Sequence, residues 1–544
     1  MSQTILILGG SLMQLPAIRI AHRSGWRVYV ADGNPDCPGA SQCDRFFPVD
    51  LKDTKGLVQI ARDADPMPTG VFTAGTDFSA SVAYVAQELH LPGTSYESAL
   101  NASDKARMRG CFSSQHVPSP EFRELSSVTG AEEAVRGLGY PLVVKPVDNM
   151  GARGVQKVET AEGIAAAVEQ SIRYSRSGRV VVEQFIPGRE YSIDAIVWDG
   201  EITICGIAER HIYFPPAFIE MGHTIPAELS ASIEGDLVDV FCRGVRALGI
   251  SNGAAKGDIF HTGDGAVIGE IAARLSGGYM SGWTYPYATG HEVTAAALNI
   301  AVGLPPGDLS PKRSWVSAER AFLSIPGTLR QIDGVAAARA VPGVKELFLR
   351  VAPGDSVRFP RNNVEKCGNV IASASDRMGA FSAAQSALRC IELRLEPNRP
   401  ETDEFLFSPR TGTTDPHLFE VKAESDIAAL DNYRKSFITV RELTAIIRAS
   451  GANARFPVIE PLPRWTEETT LNWMGMSLAD AVGSVVQLHS LELLGENTQG
   501  TSLPARQNHE SDAFSCAFWL ALVRGGLQGV RYLIDSIRAQ VEVQ

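Results

Sequence analysis

Short apolar runs alternate with amphipathic stretches through the first hundred residues. Thr4–Leu8 (TILIL) reads as a strand that stops at Gly9-Gly10. Residues 14–22 then follow helical spacing, 27–31 (RVYVA) form a second strand ending at Asp32, and 70–73 a third, ahead of a helix over 80–89. Strands alternating with helices predict a parallel, doubly wound sheet. Asp32 follows the glycines at the spacing of a dinucleotide site, but the glycine pattern is GGS rather than GxGxxG.

The pattern changes near residue 100. Ser103-Asp104-Lys105 opens a helix, residues 141–145 (PLVVK) form a strand, and 148–154 (DNMGARG) form a glycine loop before a strand over 155–158. A helix over 160–174 precedes strands at 180–185 (VVVEQF) and 190–198 (EYSIDAIVW). Strands at 255–260 and 266–271 are joined by Gly263-Asp264-Gly265, a strong hairpin signal. Residues 315–400 form a small strand-rich unit with Pro-Gly turns at 326–327, 342–343 and 353–354 and a helix over 381–389. From about 412 onward the pattern is helical, over 426–449, 478–494 and 515–541.

Composition narrows the class. At roughly 100–200 residues per domain, 544 residues with 44% hydrophobic content suggest about three to five domains. Lys plus Arg is 50 against 62 for Asp plus Glu, a net charge of −12, which argues against a general nucleic-acid binder while leaving room for a local cationic pocket. No apolar run reaches the ~18 residues of a membrane span. The start, MSQTILILGGS, lacks the basic region of a signal peptide. Eight cysteines with no CxxC support neither a disulfide scaffold nor a zinc ribbon. The expectation is a cytoplasmic protein with small-molecule partners, no nucleic acid and no membrane; homo-oligomers are compatible with it.

The candidate chemistry lies in an ordered set: Lys105, Lys145, the glycine loop, Glu183, Glu190, Asp258, Glu270 and Arg274. A triphosphate carries roughly four negative charges and needs lysines and backbone N–H groups around it. A glycine loop lets backbone approach phosphates and close over them. Magnesium takes one or two protein carboxylates beside phosphates. Pairing about the Gly263–Gly265 turn brings Asp258 and Glu270 within bridging distance of a metal pair. Taken singly, Lys145 reads as a solvated strand end, the loop as a hairpin, and the carboxylates as exposed strand positions. Their joint order points to a nucleotide site. Tyr279, Trp283, Tyr285 and Tyr287 read either as core or as a wall beside a substrate.

The segments NASDKARMR (101–109), PLVVKPVDNMGARGV (141–155), VVEQFIPGREYSIDAIV (181–197) and GDIFHTGDGAVIGEIAARLSGG (257–278) resemble the ATP-grasp superfamily. Within it, RAFLSIPGTLRQIDGVAAARAVPGVKEL and CGNVIASASDRMGAFSAAQSAL resemble the small closing domain of ATP-dependent carboxylate–amine ligases of the L-amino acid or dipeptide ligase type. The resemblance covers roughly residues 1–400. It implies a multidomain α/β and α+β protein, an ATP-grasp fold with an N-terminal doubly wound parallel-sheet domain. The expected divisions are 1–100, an ATP-grasp core over 101–310 with a mobile lid at about 115–185, a closing domain over 311–405, and an extra mainly helical region over 412–544 whose role it leaves open. The implied activity activates a carboxylate as an acyl-phosphate and joins it to an amine. Bicarbonate-dependent carboxylation and a non-catalytic nucleotide sensor or scaffold are the rivals.

The implied cofactors are ATP and Mg2+, as two ions, with Mn2+ an alternative. Lys105 and Lys145 would bind the α- and β-phosphates, and Met150, Gly151, Arg153 and Gly154 would cover the triphosphate. Glu183, Gln184, Phe185 and Ile186 would form the adenine hinge, mostly through backbone groups. Glu190 would accept from the ribose. Asp258 and Glu270 would hold magnesium, while Arg274, with Lys145, would act on the transferring phosphoryl group. Glu220 and His223, with Gly277, Gly278, Tyr279 and Trp283, would lie near substrate. In one departure, Ala272 stands where relatives often carry an Asn metal ligand. In another, Asp258 replaces a more frequent Glu.

Overall fold

The computed structural model describes residues 3–149, 151–214, 218–408 and 510–542. Thr4–Leu8 is buried along its whole length because it runs inside a parallel sheet covered on both faces. The strand order is Arg45–Pro48, Arg27–Asp32, Thr4–Leu8, Gly70–Phe72, all parallel. The edge strand Arg45–Pro48 carries no alternating apolar signal in the sequence. It is four residues long and only one of its residues, Phe47, is buried.

A second sheet is antiparallel, in the order Phe122–Leu125, Val180–Gln184, Leu142–Pro146, Gln156–Val158. Helix Ile164–Tyr174 covers one face through Ile164, Ala167 and Val168.

The largest sheet has eight antiparallel strands. In order they are Gly265–Ala272, Gly253–Thr262, Arg189–Trp198, Glu201–Tyr213, Ile219–Ile225, Val316–Phe322, Gly368–Ala374 and Val344–Leu349. The last three come from the small C-terminal unit. Val316–Phe322 pairs with Ile219–Ile225 and sets Glu319 directly opposite His223. The small unit therefore shares a continuous hydrogen-bonded sheet with the core.

Helix Ala231–Ala247, capped by Ser230, lays Leu237, Val240, Phe241 and Val245 against Ile259, Ile268 and Ile271 on one face of this sheet. The polar positions between them, Asp258 and Glu270, are thereby turned to the other face.

The expected helices over 426–449 and 478–494 lie outside the described residues. The third is present as Glu510–Glu542, with a break at Gly526 (φ 59°). Leu520, Leu522 and Leu533 pack with Leu329, Leu395 and Leu406 of the small unit. Arg524 donates from Nη1 to the carbonyls of Leu406 (2.8 Å) and Ser408 (3.0 Å), and Asp535 accepts from Arg394 (2.9 and 3.1 Å). Among the described residues no helix is long and apolar enough to cross a membrane.

Leu406 is fully buried between the small unit and the terminal helix. Leu406→Ala is expected to destabilise this unit by about 2–5 kcal/mol, the range for a large-to-small change in a packed core. Urea denaturation checks this; an unchanged midpoint would contradict the packing.

Candidate nucleotide and metal site

The hairpin Gly253–Thr262/Gly265–Ala272 carries the two carboxylates expected to hold metal. Asp258 and Glu270 are cross-strand partners, and Lys256 faces Ala272 one step along the same face. The register shifts between Asp258 and Ile259. Gly269 makes this bulge feasible, since a Cβ there would stand 2.8 Å from the Phe260 ring and 3.0 Å from the Asp258 carbonyl. The bulge resets the alternation, so that Ile268 and Ile271 both face the core while Glu270 stays on the site face.

Lys105 reaches this hairpin from the first turn of helix Lys105–Ser114. Asp104 caps the helix by accepting from Ala106 N (2.9 Å) and Arg107 N (3.0 Å). Lys105 is only 7% exposed. Its Nζ donates to the Asn149 carbonyl in the glycine loop (3.0 Å) and lies 3.6 Å from Glu270 Oε1. One ammonium thus links the loop to Glu270.

Lys145, on Leu142–Pro146, pairs with Glu183 on the adjacent Val180–Gln184. Arg109 completes this group. Its Nε lies 3.1 Å from Glu183 Oε2 and its Nη2 donates to Gly269 O at 2.6 Å. Burial works to raise the Glu183 carboxyl, but Arg109 and Lys145 outweigh it and hold it below the usual carboxylate range. Burial, helped by the charges of Arg109 and Lys105, draws the Lys145 ammonium below its ordinary value despite Glu183. The Glu183 carboxylate, 5% exposed, is therefore committed to holding Lys145 rather than facing a base. Farther along the expected hinge, Gln184 N donates to Glu121 O (3.1 Å) and Phe185 N to Pro141 O (3.0 Å). Ile186 follows directly, outside the strand.

In the glycine loop, Asp148 accepts from Arg176 N (3.0 Å) and Ser177 N (2.8 Å), and Asn149 Nδ2 donates to Tyr174 O (2.8 Å). Gly151 and Gly154 have φ of 67° and 76°, with Arg153 between them. Met150 lies outside the described residues. Gly151 O accepts from Asn363 N (3.3 Å), so the loop touches the small C-terminal unit.

Arg210, on Glu201–Tyr213, is a hub that the motif reading passed over. It binds Glu220 through two nitrogens (3.2 and 2.9 Å), pairs with Glu190, and places Nη1 3.1 Å from Asp258 Oδ1. That last approach is off the hydrogen-bonding direction, leaving Asp258 Oδ1 a buried oxygen without a hydrogen bond. Asp258 Oδ2 is taken by Lys256. Burial opposes ionisation of all three carboxylates and prevails at Glu190, which is raised. At Asp258 the Arg210 and Lys256 charges prevail, and at Glu220 Arg210 does; both are lowered.

Arg274 is held by Asp77 of the N-terminal sheet unit, with Nε at 3.3 Å and Nη2 at 3.1 Å from Oδ1. Burial pulls the Asp77 carboxyl up, but Arg274 and Lys105 hold it down. The glycines beyond Arg274 allow this contact between units, because a Cβ at Gly277 would stand 3.0 Å from Gly75 O. Asp194, in the middle of an apolar strand, accepts from Ser276 N (3.1 Å) and Oγ (2.5 Å) and fixes the same segment.

The remaining substrate-side candidates divide. His223 is buried, 2.6 Å from Thr284 Oγ1 through Nε2 and 3.4 Å from Glu319 Oε2 through Nδ1. Glu220 N donates to Asn363 Oδ1 (2.8 Å) and its carbonyl accepts from Lys366 Nζ (2.8 Å). Gly278 and Tyr279 have φ of 62° and 71°. Of the two readings of Tyr279 and Trp283, the burial of their rings fits the core. At 2% and 7% exposure their rings are core, Tyr279 stacked on Phe348 at 4.6 Å and Trp283 edge-on to both. The small unit supplies Phe348, which no local signal around residue 279 could disclose.

Among the described residues no group of three or more His, Cys, Asp or Glu could hold a metal unaided. Two carboxylates with one unsatisfied buried oxygen fit an ion that takes its other ligands from phosphates and water, as magnesium does.

Comparison with known proteins places two segments of the chain in known domain families. Residues 138–282 match the ATP-grasp domain and 321–396 the L-amino acid ligase C-terminal domain 2. The chain belongs to the ATP-grasp ligase family. It is 30% identical over 345 residues to the uncharacterized protein y4rH of Sinorhizobium fredii (strain NBRC 101917 / NGR234), covering 62% of this chain and 71% of that one. It is 31% identical over 168 residues to the D-alanine--D-alanine ligase of Ectopseudomonas mendocina (strain ymp), covering 30% of this chain and 52% of that enzyme. The fold superposes on the L-amino acid ligase from Bacillus licheniformis with a TM-score of 0.64 at 22% identity, over 73% of this chain and 99% of that one. ATP-grasp ligases use ATP and magnesium and form C–N bonds.

Burial lifts the Asp194 carboxyl from 3.8 to about 6. A raised carboxyl contributes stability that is complete below the unfolded value and lost as pH rises through the folded one. Between about pH 4 and pH 8, Asp194→Asn is expected to gain up to about 3 kcal/mol relative to the native chain. Denaturation at both pH values checks this; a constant difference would contradict it.

Proposed function

We propose that the protein is an ATP-dependent carboxylate–amine ligase acting on small molecules of the amino-acid class. The observation that carries this reading is the Asp258–Glu270 pair, faced by Lys105, beneath a glycine loop that touches a closing unit of the L-amino acid ligase type.

In the proposed reaction a substrate carboxylate oxygen attacks the γ-phosphorus of ATP, and ADP leaves. An amine then attacks the acyl carbon of the acyl-phosphate, inorganic phosphate leaves, and the amine loses its proton. Magnesium, when bound, supplies charge neutralisation at the phosphates. Asp258 and Glu270 are the residues that would hold it. The chain needs no covalent nucleophile, because its task is alignment and electrostatic stabilisation. Lys145 is fixed by Glu183 before nucleotide arrives, and Arg274 by Asp77, so neither has far to reorganise. The contact of the loop with Asn363 would exclude water from an acyl-phosphate prone to hydrolysis. Gln184 and Ile186 would serve adenine through backbone groups, and Glu190 the ribose once released by Arg210.

The test is a phosphate-release screen over amino-acid pairs with magnesium, with mass spectrometry of condensed products. Amine-dependent release with a product one water lighter than its two components is expected. Release that instead requires bicarbonate, or tight ATP binding with no release on any pair, would overturn the reading. Arg274→Ala is expected to lower turnover about 10²–10³-fold, as for loss of a transition-state donor, with little change in nucleotide affinity. Equal losses in both would argue against its role at the phosphoryl group.

A further inference from the structure

We infer that Lys256 takes the place of a second divalent ion beside Asp258, so that the site binds its nucleotide with one divalent ion rather than two. The inference rests on the nucleotide reading above and concerns how that site is charged.

Four positions of the hairpin form a square on its site face. Asp258 opposes Glu270, and Lys256 opposes Ala272. Residues two apart on a strand share a face, so the Lys256 and Asp258 side chains rise together, as do those of Glu270 and Ala272. A two-ion site needs oxygen at each end of this square. Glu270 supplies it at one corner, but the next corner holds the Ala272 methyl, which donates nothing to a metal. The corner facing that methyl holds an ammonium group.

The carboxylate of Asp258 is divided accordingly. Its Oδ2 is paired with Lys256 Nζ, leaving only Oδ1, the buried oxygen without a hydrogen bond, to offer to an ion. Asp258 therefore offers one oxygen to the metal side where an unpaired carboxylate would offer two. A second ion would also lie beside the fixed charges of Lys256 and Arg210, whose Nη1 is 3.1 Å from that oxygen. On its other flank Lys256 meets a carboxylate that already has partners of its own. Its neighbour there is Asp194, whose carboxylate is engaged by Ser276 N and Oγ. An ammonium needs no octahedral ligand set, so it supplies positive charge where the chain has too few oxygens for a metal.

The test counts Mn2+ retained per chain on the full-length protein carrying an unhydrolysable ATP analogue, by equilibrium dialysis and electron paramagnetic resonance. One ion is expected for the unmodified chain and for Lys256→Arg, which keeps the charge. Two are expected when Lys256→Ala is combined with Ala272→Asn, which removes the ammonium and restores an oxygen. Two ions on the unmodified chain would overturn the inference, as would one ion on the double variant with analogue bound. Should the double variant fail to fold, the count on the unmodified chain decides. Failure of the analogue to bind the unmodified chain would strike the nucleotide reading itself, an outcome distinct from a count of two.

Discussion

The pairing of Gly253–Thr262 with Gly265–Ala272 is the constraint on which the site depends. Its register decides that Asp258 meets Glu270, and a one-residue slip would turn one of them into the core beside Phe241. The bulge at Gly269 lets the strand present Ile268 and Ile271 to helix Ala231–Ala247 while keeping Glu270 outward. Packing on one face therefore holds the chemistry on the other. Arg109 reinforces this by donating to the Gly269 carbonyl while also gripping Glu183, so the bulge and Lys145 are positioned by one guanidinium.

A second principle is mutual charge compensation. Lys145 is met by Glu183, Arg210 by Glu190 and Glu220, Lys256 by Asp258, and Arg274 by Asp77. Buried ion pairs contribute little net stability once desolvation is counted, and losing one partner is costly. Their value lies in preorganisation, because the cations stand in place before an anionic ligand arrives. The same pairing carries a consequence for binding. Nucleotide and metal must exchange some of these partners, and the oxygen of Asp258 that accepts no hydrogen bond marks where exchange costs least.

Much of this was legible in the chain. The Gly263-Asp264-Gly265 turn between two alternating strands disclosed the hairpin and its register, because turn chemistry and side-chain alternation are both local. Lys105 and Lys145 were legible through the segments around them. Arg210, Asp77, Asn363 and Lys366 were not. Each enters from an element distant in sequence, and a charged residue in an alternating strand such as ITICGIAERHIY looks like a solvated position until its partners are known. Asp194 offered a usable signal, a carboxylate between Ile193 and Ala195 in an otherwise apolar stretch, but its partner Ser276 lies 82 residues away. What packs on Tyr279 and Trp283 was hidden for the same reason, since Phe348 belongs to the small unit.

The most direct measurement is a crystal structure of the full chain soaked with magnesium and an unhydrolysable ATP analogue. The triphosphate is expected between Lys105, Lys145 and the loop at 148–154, with metal on Asp258 and Glu270 and Arg274 turned to the γ-phosphoryl group. A triphosphate bound elsewhere, or carboxylates of Asp258 and Glu270 still locked to Lys256, Arg210 and Lys105 with no metal between them, would contradict it.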